Sequence, residues 1–280
     1  MTDVLLAQEH LFRVAVFSVC FALIAAAEVV APRRRADLPR RLRWPNNLGI
    51  TVLNTVAVRI LLPTSALTVA GIAERNGWGL LSSVPLPFFL RTILAILVLE
   101  LAIYLQHRLF HTVPFLWRVH RMHHADLDFD VTTATRFHPI EMLLSAGIKI
   151  LVVAALGAPA LAVLGFEVLL NATSMFNHAN VRLPAPLDAA LRWLVVTPDM
   201  HRVHHSAIPR ETNSNYGFNL PCWDYIFGTY RAQPAAGHLA MTIGLDQFRT
   251  PRDLWLDRML LQPFARDARA HGLSWREATR

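Results

Sequence analysis

The sequence is short of cysteine, of lysine and of charge in general. Its 280 residues hold two cysteines. Cys20 sits inside the first apolar run and Cys222 in a polar region far along the chain, so no structural disulfide is expected. No Cys-x-x-Cys or haem-attachment spacing occurs. These absences exclude an iron–sulfur centre, a dithiol redox pair or a covalent haem. Lys149 is the only lysine; every other basic residue is arginine. Charged residues make up 17% of the chain and hydrophobic residues 54%, with a mean hydropathy of +0.34. Ordinary soluble domains carry about a quarter charged residues, so this composition belongs to a membrane protein. The net charge of +7 could suit nucleic acid. The arginines, however, gather in loops beside apolar runs and no nucleic-acid-binding motif accompanies them, so nucleic acid is not an expected partner.

No linker, repeat or low-complexity stretch divides the chain, which reads as one all-α membrane domain. Leu11–Ala31 is long enough to cross a hydrocarbon core of about 30 Å. The run is too long for a typical signal sequence, and Ala31-Pro32-Arg33-Arg34-Arg35 reads as a stop-transfer pattern. Six arginines between Arg33 and Arg43 place this loop in the cytoplasm by the positive-inside rule. A second span, Leu48–Ala73, is interrupted by Asn54, Arg59 and Pro63. A polar connection, Glu74–Pro85, leads to a third span, Leu86–Gln106. Met142–Leu156 and Leu161–Phe176, separated by Gly157-Ala158-Pro159, read as a helical hairpin that enters and leaves from one face. The expected divisions are membrane helices over 1–106, a histidine-rich region with its hairpin over 107–230, and a cytoplasmic tail over 231–280.

Charges within apolar runs are functional candidates by default. For Arg59 a bond to neighbouring helices is the simpler expectation, and for Glu100 a place near the interface. Glu100 could alternatively support His107, seven positions on. Arg13, Glu28 and Arg91 lie near span ends and should snorkel.

Against this apolar background eight of the thirteen histidines form three clusters: His107/His111, His120/His123/His124 and His201/His204/His205. Residues three and four apart share a helix face, so each cluster can aim its imidazoles at one point. Neutral imidazole is the commonest metal ligand. Eight exceed what one ion takes from protein, so two metals are expected. Pro114 should break the helix near Val113. All three clusters reach one face only if the segment 142–176 returns as a hairpin. Candidate acids for holding the ligands are Asp126, Asp128, Asp130, Glu141, Asp199 and Asp224, with Glu141 and Asp199 preferred because each lies close in sequence to a candidate ligand. His10, His238 and His271 lie outside the constellation and read as surface or interface histidines. Trp223, Tyr225, Phe227 and Tyr230 are candidates for an interfacial cap over the site, or for simple packing.

Over roughly Leu97 to Tyr230 the chain resembles the fatty acid hydroxylase/sterol desaturase superfamily of integral-membrane, histidine-rich oxygenases. The resemblance rests on His107-x-x-x-His111, on Leu116-Trp117 followed by His120-x-x-His123-His124, and on His201-x-x-His204-His205. Arg136-Phe137-His138-Pro139-Ile140-Glu141, Asn177-His178 and Trp223-Asp224 through Gly228-Thr229 also match. It implies that the eight clustered histidines are metal ligands, that His178 is a further ligand, and that His138 is a ligand or the neighbour of one. In the fatty acid 2-hydroxylase branch the region of His178 carries a fuller pair. Ser174 and Arg182 stand at those spacings here, which points toward the sterol oxidase, alkylglycerol monooxygenase or bacterial branches.

The resemblance further implies two iron ions, with zinc conceivable in purified protein, and O2 as co-substrate. It implies hydroxylation or desaturation of a lipid or sterol-like substrate drawn from the bilayer. Beyond the metal ligands no catalytic side chain is implied. Electrons must come from a separate reductase, cytochrome b5-like or ferredoxin-like partner, since the chain carries none of their motifs. The implied location is a bacterial inner membrane with the site facing the cytoplasm. Two rivals are a histidine-rich metal transporter, which would place ligands near the membrane midplane, and a zinc-dependent hydrolase, which would normally carry a carboxylate inside its histidine motif.

Overall fold

The computed structural model describes residues 8–266; the His271 reading lies outside the described residues. The described residues are helical, with only isolated β-bridges. The helices are α1 Glu9–Val30, α2 Arg40–Leu61, α3 Ala66–Asn76, α4 Phe88–Thr112, α5 Pro114–His124, α6 Pro139–Leu156, α7 Ala160–Asn177, α8 Ala185–Leu191 and α9 Pro198–His204, followed by shorter turns. Five segments are long and apolar enough to cross a membrane: α1, the α2–α3 unit, α4, α6 and α7. The chain is thus a multi-pass membrane helical bundle carrying a histidine-rich cap.

Local chemistry explains where these helices stop. The second span begins earlier than hydropathy suggests, because Arg43 and Asn47 are buried in the cap and extend α2 beyond the apolar run. It then breaks between Leu61 and Ala66. Pro63 lacks an N–H and restricts the residue before it, and Ser65 restarts the chain by capping Thr68 N at 3.1 Å. The third span runs past His107 and His111 to Thr112. Val113, held extended before Pro114, ends α4 and starts α5.

The hairpin α6–α7 turns at Gly157, whose φ is +65°. A side chain there would collide with Trp78 O at 2.1 Å, and one on Gly79 would meet Gly157 N at 2.2 Å. Only two glycines let these backbones touch at the end of the bundle away from the histidines. Small residues serve the same purpose between helices: Ala70, Ala95 and Ala162 are buried with Leu99, Val153, Val163 and Phe166.

The opposite end collects the C-termini of α1, α4 and α7 with the N-termini of α2 and α6. Arg33 reaches Asp199 at 3.1 Å, and Arg43 reaches Asp126 at 2.8 Å. The segment expected as a tail packs back onto this end. Arg118 Nε donates to Pro263 O at 2.8 Å, Arg121 to Gln262 O at 2.5 Å, and Met259 is buried with Ile50 and Met122.

Several span charges sit differently from expectation. Glu28 is buried and accepts from Val131 N at 2.7 Å and Asn180 N at 3.0 Å, so it staples α1 to the cap rather than snorkelling. Glu100 is buried below the cap and accepts from Leu220 N at 3.4 Å and from Asn219; it does not touch His107. Arg13 pairs with Glu9 and Glu167. Arg59 is exposed in the last turn of α2, where a cation complements the helix terminus, rather than bonded to other helices.

Candidate metal centre

Nine buried histidines converge in two adjoining groups: His107, His111, His120, His124 and His204 form one, and His123, His178, His201 and His205 the other. Three helices supply most of them. The end of α4 contributes His107 and His111. On α5 the three-and-four spacing divides His120 and His124 from His123, so one helix feeds both groups. On α9 and its cap the same spacing sends His204 to the first group and His201 and His205 to the second. His178, the C-cap of α7, arrives only because the hairpin returns. The groups adjoin where the His124 and His205 rings stack at 4.5 Å.

The hydrogen bonds show which nitrogens are free. His107 Nδ1 lies 2.8 Å from Tyr216 O and His204 Nδ1 2.7 Å from Ser214 O. In the second group His178 Nδ1 lies 2.7 Å from Ser174 O and His123 Nδ1 3.2 Å from Arg136 O. A carbonyl oxygen only accepts, so each of these Nδ1 atoms carries the proton and each Nε2 is a bare lone pair. Yet His107 and His204 oppose their Nε2 atoms at 3.0 Å, and His123 and His178 theirs at 3.2 Å. Two lone pairs at such distances repel. A cation between them turns that repulsion into coordination, and ligands at right angles about 2.1 Å from an ion would stand about 3.0 Å apart. Two such pairs, one in each group, fit two metal ions. His111 Nε2, His205 Nε2 and the Nδ1 atoms of His124, His201 and His205 are buried without a hydrogen bond, and the two Nε2 atoms are further donors for a metal.

Burial favours the neutral form of an imidazole, which is the ligand form. It holds His123, His124, His201 and His205 well below 6.5. His178 is lowered to about 4 and His204 to about 3, again chiefly by burial. Aromatic rings seal the groups: Phe137 stacks on His123 at 4.5 Å, Trp117 lies 5.0 Å from His111, and Phe129 lies 5.1 Å from His205.

The remaining candidates separate clearly. Glu141 accepts from His120 Nδ1 at 2.7 Å. Asp199 touches no ligand histidine; it binds Arg33 and Arg202 and lies 3.5 Å from His238. Its position in the first turn of α9 points it away from the ligand face. His138 stays outside both groups. Its Nδ1 accepts from Ile140 N at 3.2 Å, capping α6, and its Nε2 donates to Leu260 O at 3.3 Å, so neither nitrogen is free. His238, expected at the surface or an interface, is buried beside Asp199. Asp126, Asp128 and Asp130 bind Arg43, Leu38 N and Thr132 rather than histidines. Asp224 acts at one remove: it accepts from Tyr216 N and Gly217 N, both at 2.8 Å, and thereby fixes the carbonyl that orients His107. The rings of Trp223, Tyr225, Phe227 and Tyr230 do not cover the site; Phe227 stacks on Tyr104 at 5.2 Å, and Tyr225 packs between Trp193 and Tyr230.

Residues 122–137 include a support that motif reading did not single out as such. Arg136 spans from Met122 O at 2.9 Å to Asn47 Oδ1 at 3.1 Å while its own carbonyl orients His123. Arg43 binds Asp126 and Asp130 with almost no exposure. Only a buried partner marks such arginines, and a sequence does not show which carboxylate that is.

A two-centre histidine site at one end of a membrane helical bundle defines the class. Residues 92–229 match the fatty acid hydroxylase family model. It is 30% identical over 223 residues to the ornithine lipid hydroxylase OlsE of Rhizobium tropici, covering 76% of this chain and 65% of that protein. It is 31% identical over 141 residues to the alkylglycerol monooxygenase of Xenopus tropicalis, covering 49% of this chain and 30% of that protein. Against the alkylglycerol monooxygenase of Danio rerio it is 27% identical over 171 residues, covering 61% and 36%. The chain thus spans less than two thirds of the length of each of these relatives. No solved structure matches.

Proposed function

We propose that the protein is a membrane-bound lipid hydroxylase that binds two iron ions and uses O2 with electrons from a separate donor. The observation that carries this reading is the opposition of bare Nε2 pairs in two adjoining groups. The match of residues 92–229 to the fatty acid hydroxylase family model supports the reaction class. When bound, the metal pair would supply O2 activation and hydrogen abstraction from an unactivated C–H bond.

The chain's own residues do the rest. Carbonyls of Tyr216, Ser214, Ser174 and Arg136 fix the tautomers, so the ring proton cannot shift to the nitrogens facing the metals without breaking a buried hydrogen bond. Glu141 holds the His120 proton and raises that imidazole's donor strength. Phe129 and Phe137 exclude water from the second group. The bundle delivers an amphipathic lipid with its polar head at the histidine end. The arginine-rich loop Arg33–Arg43 lies at this same end, which supports a cytoplasmic site by the positive-inside rule, in a bacterial inner membrane. A reductase, cytochrome b5-like or ferredoxin-like protein would supply the electrons.

The named activities of the relatives make ornithine lipids the first substrates to test, then alkylglycerols. Comparative lipidomics of cells expressing the protein or its His204→Ala variant should show a lipid that gains one oxygen only with the intact site. Loss of two hydrogens instead would identify a desaturase, and no change in any lipid would overturn the reading. A metal transporter is disfavoured because the nine clustered histidines lie at one end of the bundle and not at its middle, where a transporter would place its ligands.

A further inference from the structure

The two groups are not equally enclosed. His123, His178, His201 and His205 are 0–1% exposed, whereas His111 is 7% exposed, the most of the nine. His111 forms the floor of a cleft walled by Trp117, Ala207, Pro209, Thr212, Asn213 and Asp246. Apart from His111 itself the cleft is built from α5 and cap loops, so it faces water and not the bilayer.

His111 is also loosely tethered. Its Nδ1 lies 3.3 Å from Asn213 Oδ1, a half-buried side chain. Among the other Nδ1 atoms of the nine with a partner, those of His107, His120, His178 and His204 lie 2.7–2.8 Å from theirs and that of His123 3.2 Å, and four of these five partners are backbone carbonyls. A side-chain amide can rotate away where a backbone carbonyl cannot. Trp117, 5.0 Å from His111, lines the same cleft.

The geometry points to His111 as an exchange gate, through which the five-histidine group takes up and releases its metal ion directly from water. The inference rests on the proposed two-metal reading. When the imidazole swings toward the cleft, a coordination position opens on the aqueous side. The Asn213 amide oxygen and the exposed Asp246 carboxylate then offer oxygen ligands to a hydrated cation on its way in or out. The four histidines of the other group are almost fully enclosed, and Phe129 and Phe137 pack against them. The ion of that group leaves only when the cap itself opens, which costs far more than one side-chain rotation.

The test is zinc release from the full-length protein, reconstituted with zinc in detergent and mixed with excess EDTA and a zinc dye. Two zinc ions per chain should leave in two phases of equal amplitude, the fast one at least about tenfold quicker than the slow. Ala207→Trp, which fills the cleft, should slow the fast phase alone; Asn213→Leu, which frees the imidazole, should quicken it. Because the variants act in opposite directions, misfolding of either leaves the other decisive. Two bound ions that leave in one phase, or a fast phase that neither variant moves, would overturn the gate. Fewer than two ions bound would instead overturn the two-metal reading, and the gate with it.

Discussion

The membrane bundle and the histidine cap obey opposite rules of burial. On the bundle, Leu23, Ile60, Phe89 and Leu151 are 61–75% exposed, as lipid permits, and the interior is lined with alanine and a few large apolar residues. In the cap the most buried large side chains include Arg43, Arg121, Arg136 and Arg202. The bundle is held by close packing of small residues, each contributing little. The cap is held by desolvated charges that are tolerable only while every partner is present. The comparison teaches that the metal site needs stiffness more than stability. Nine imidazoles with bare nitrogens face to face must be held against mutual repulsion before any ion arrives, and fixed carbonyls and buried arginines do that where apolar packing would let the rings turn.

The contrast can be broken most severely at a ligand. His204→Ala or His123→Ala should abolish both oxidation and binding of the metal in its own group, read by metal content per chain. Two ions retained in either variant would remove that histidine from the ligand set, and loss of both ions would mean that the groups are not separate centres. Next, Arg43→Met should strand Asp126 and Asp130 and destabilise the cap by about 3–5 kcal/mol, whereas Leu151→Ala on the lipid face should change thermal unfolding in detergent by much less. Equal losses at the two positions would erase the distinction between bundle and cap. Glu141→Ala should weaken metal binding by about 10–100-fold, measured by competition with a chelator, with secondary structure unchanged. The smallest effect is expected at His138. His138→Ala should cost about 1 kcal/mol through loss of the α6 cap, His138→Asn should restore it, and metal content should stay constant in both. A lost ion in His138→Asn would return that histidine to the ligand set.

The bundle was largely legible in the sequence, because each span announces itself by a run of apolar residues. Its departures are local: of the three interruptions read in the second span only Pro63 splits the helix, and α2 starts early because Arg43 has a buried partner. The clusters were legible through their three-and-four spacing. The division of ligands was not. That spacing suggests each motif aims at one point, yet His120 and His124 serve one group while His123, between them, serves the other. Proximity in sequence misled for Asp199, which lies on the arginine side of α9, and for His138, whose two nitrogens are taken up by backbone. It served for Glu141, because Pro139 starts α6 with the carboxylate one turn in, beside His120.

The order of apolar runs and the helical spacing of the histidines are one-dimensional properties, and they determined that this chain is a multi-pass bundle with histidine clusters at one end. Which nitrogen of each imidazole is bare, which histidines share an ion and which of them meets water depend on carbonyls and rings brought from distant segments. Tyr216 reaches His107, Ser214 reaches His204 and the α6–α7 hairpin returns His178 to His123. Only the folded chain decides those contacts, because coordination depends on distances and angles that spacing along the chain does not contain.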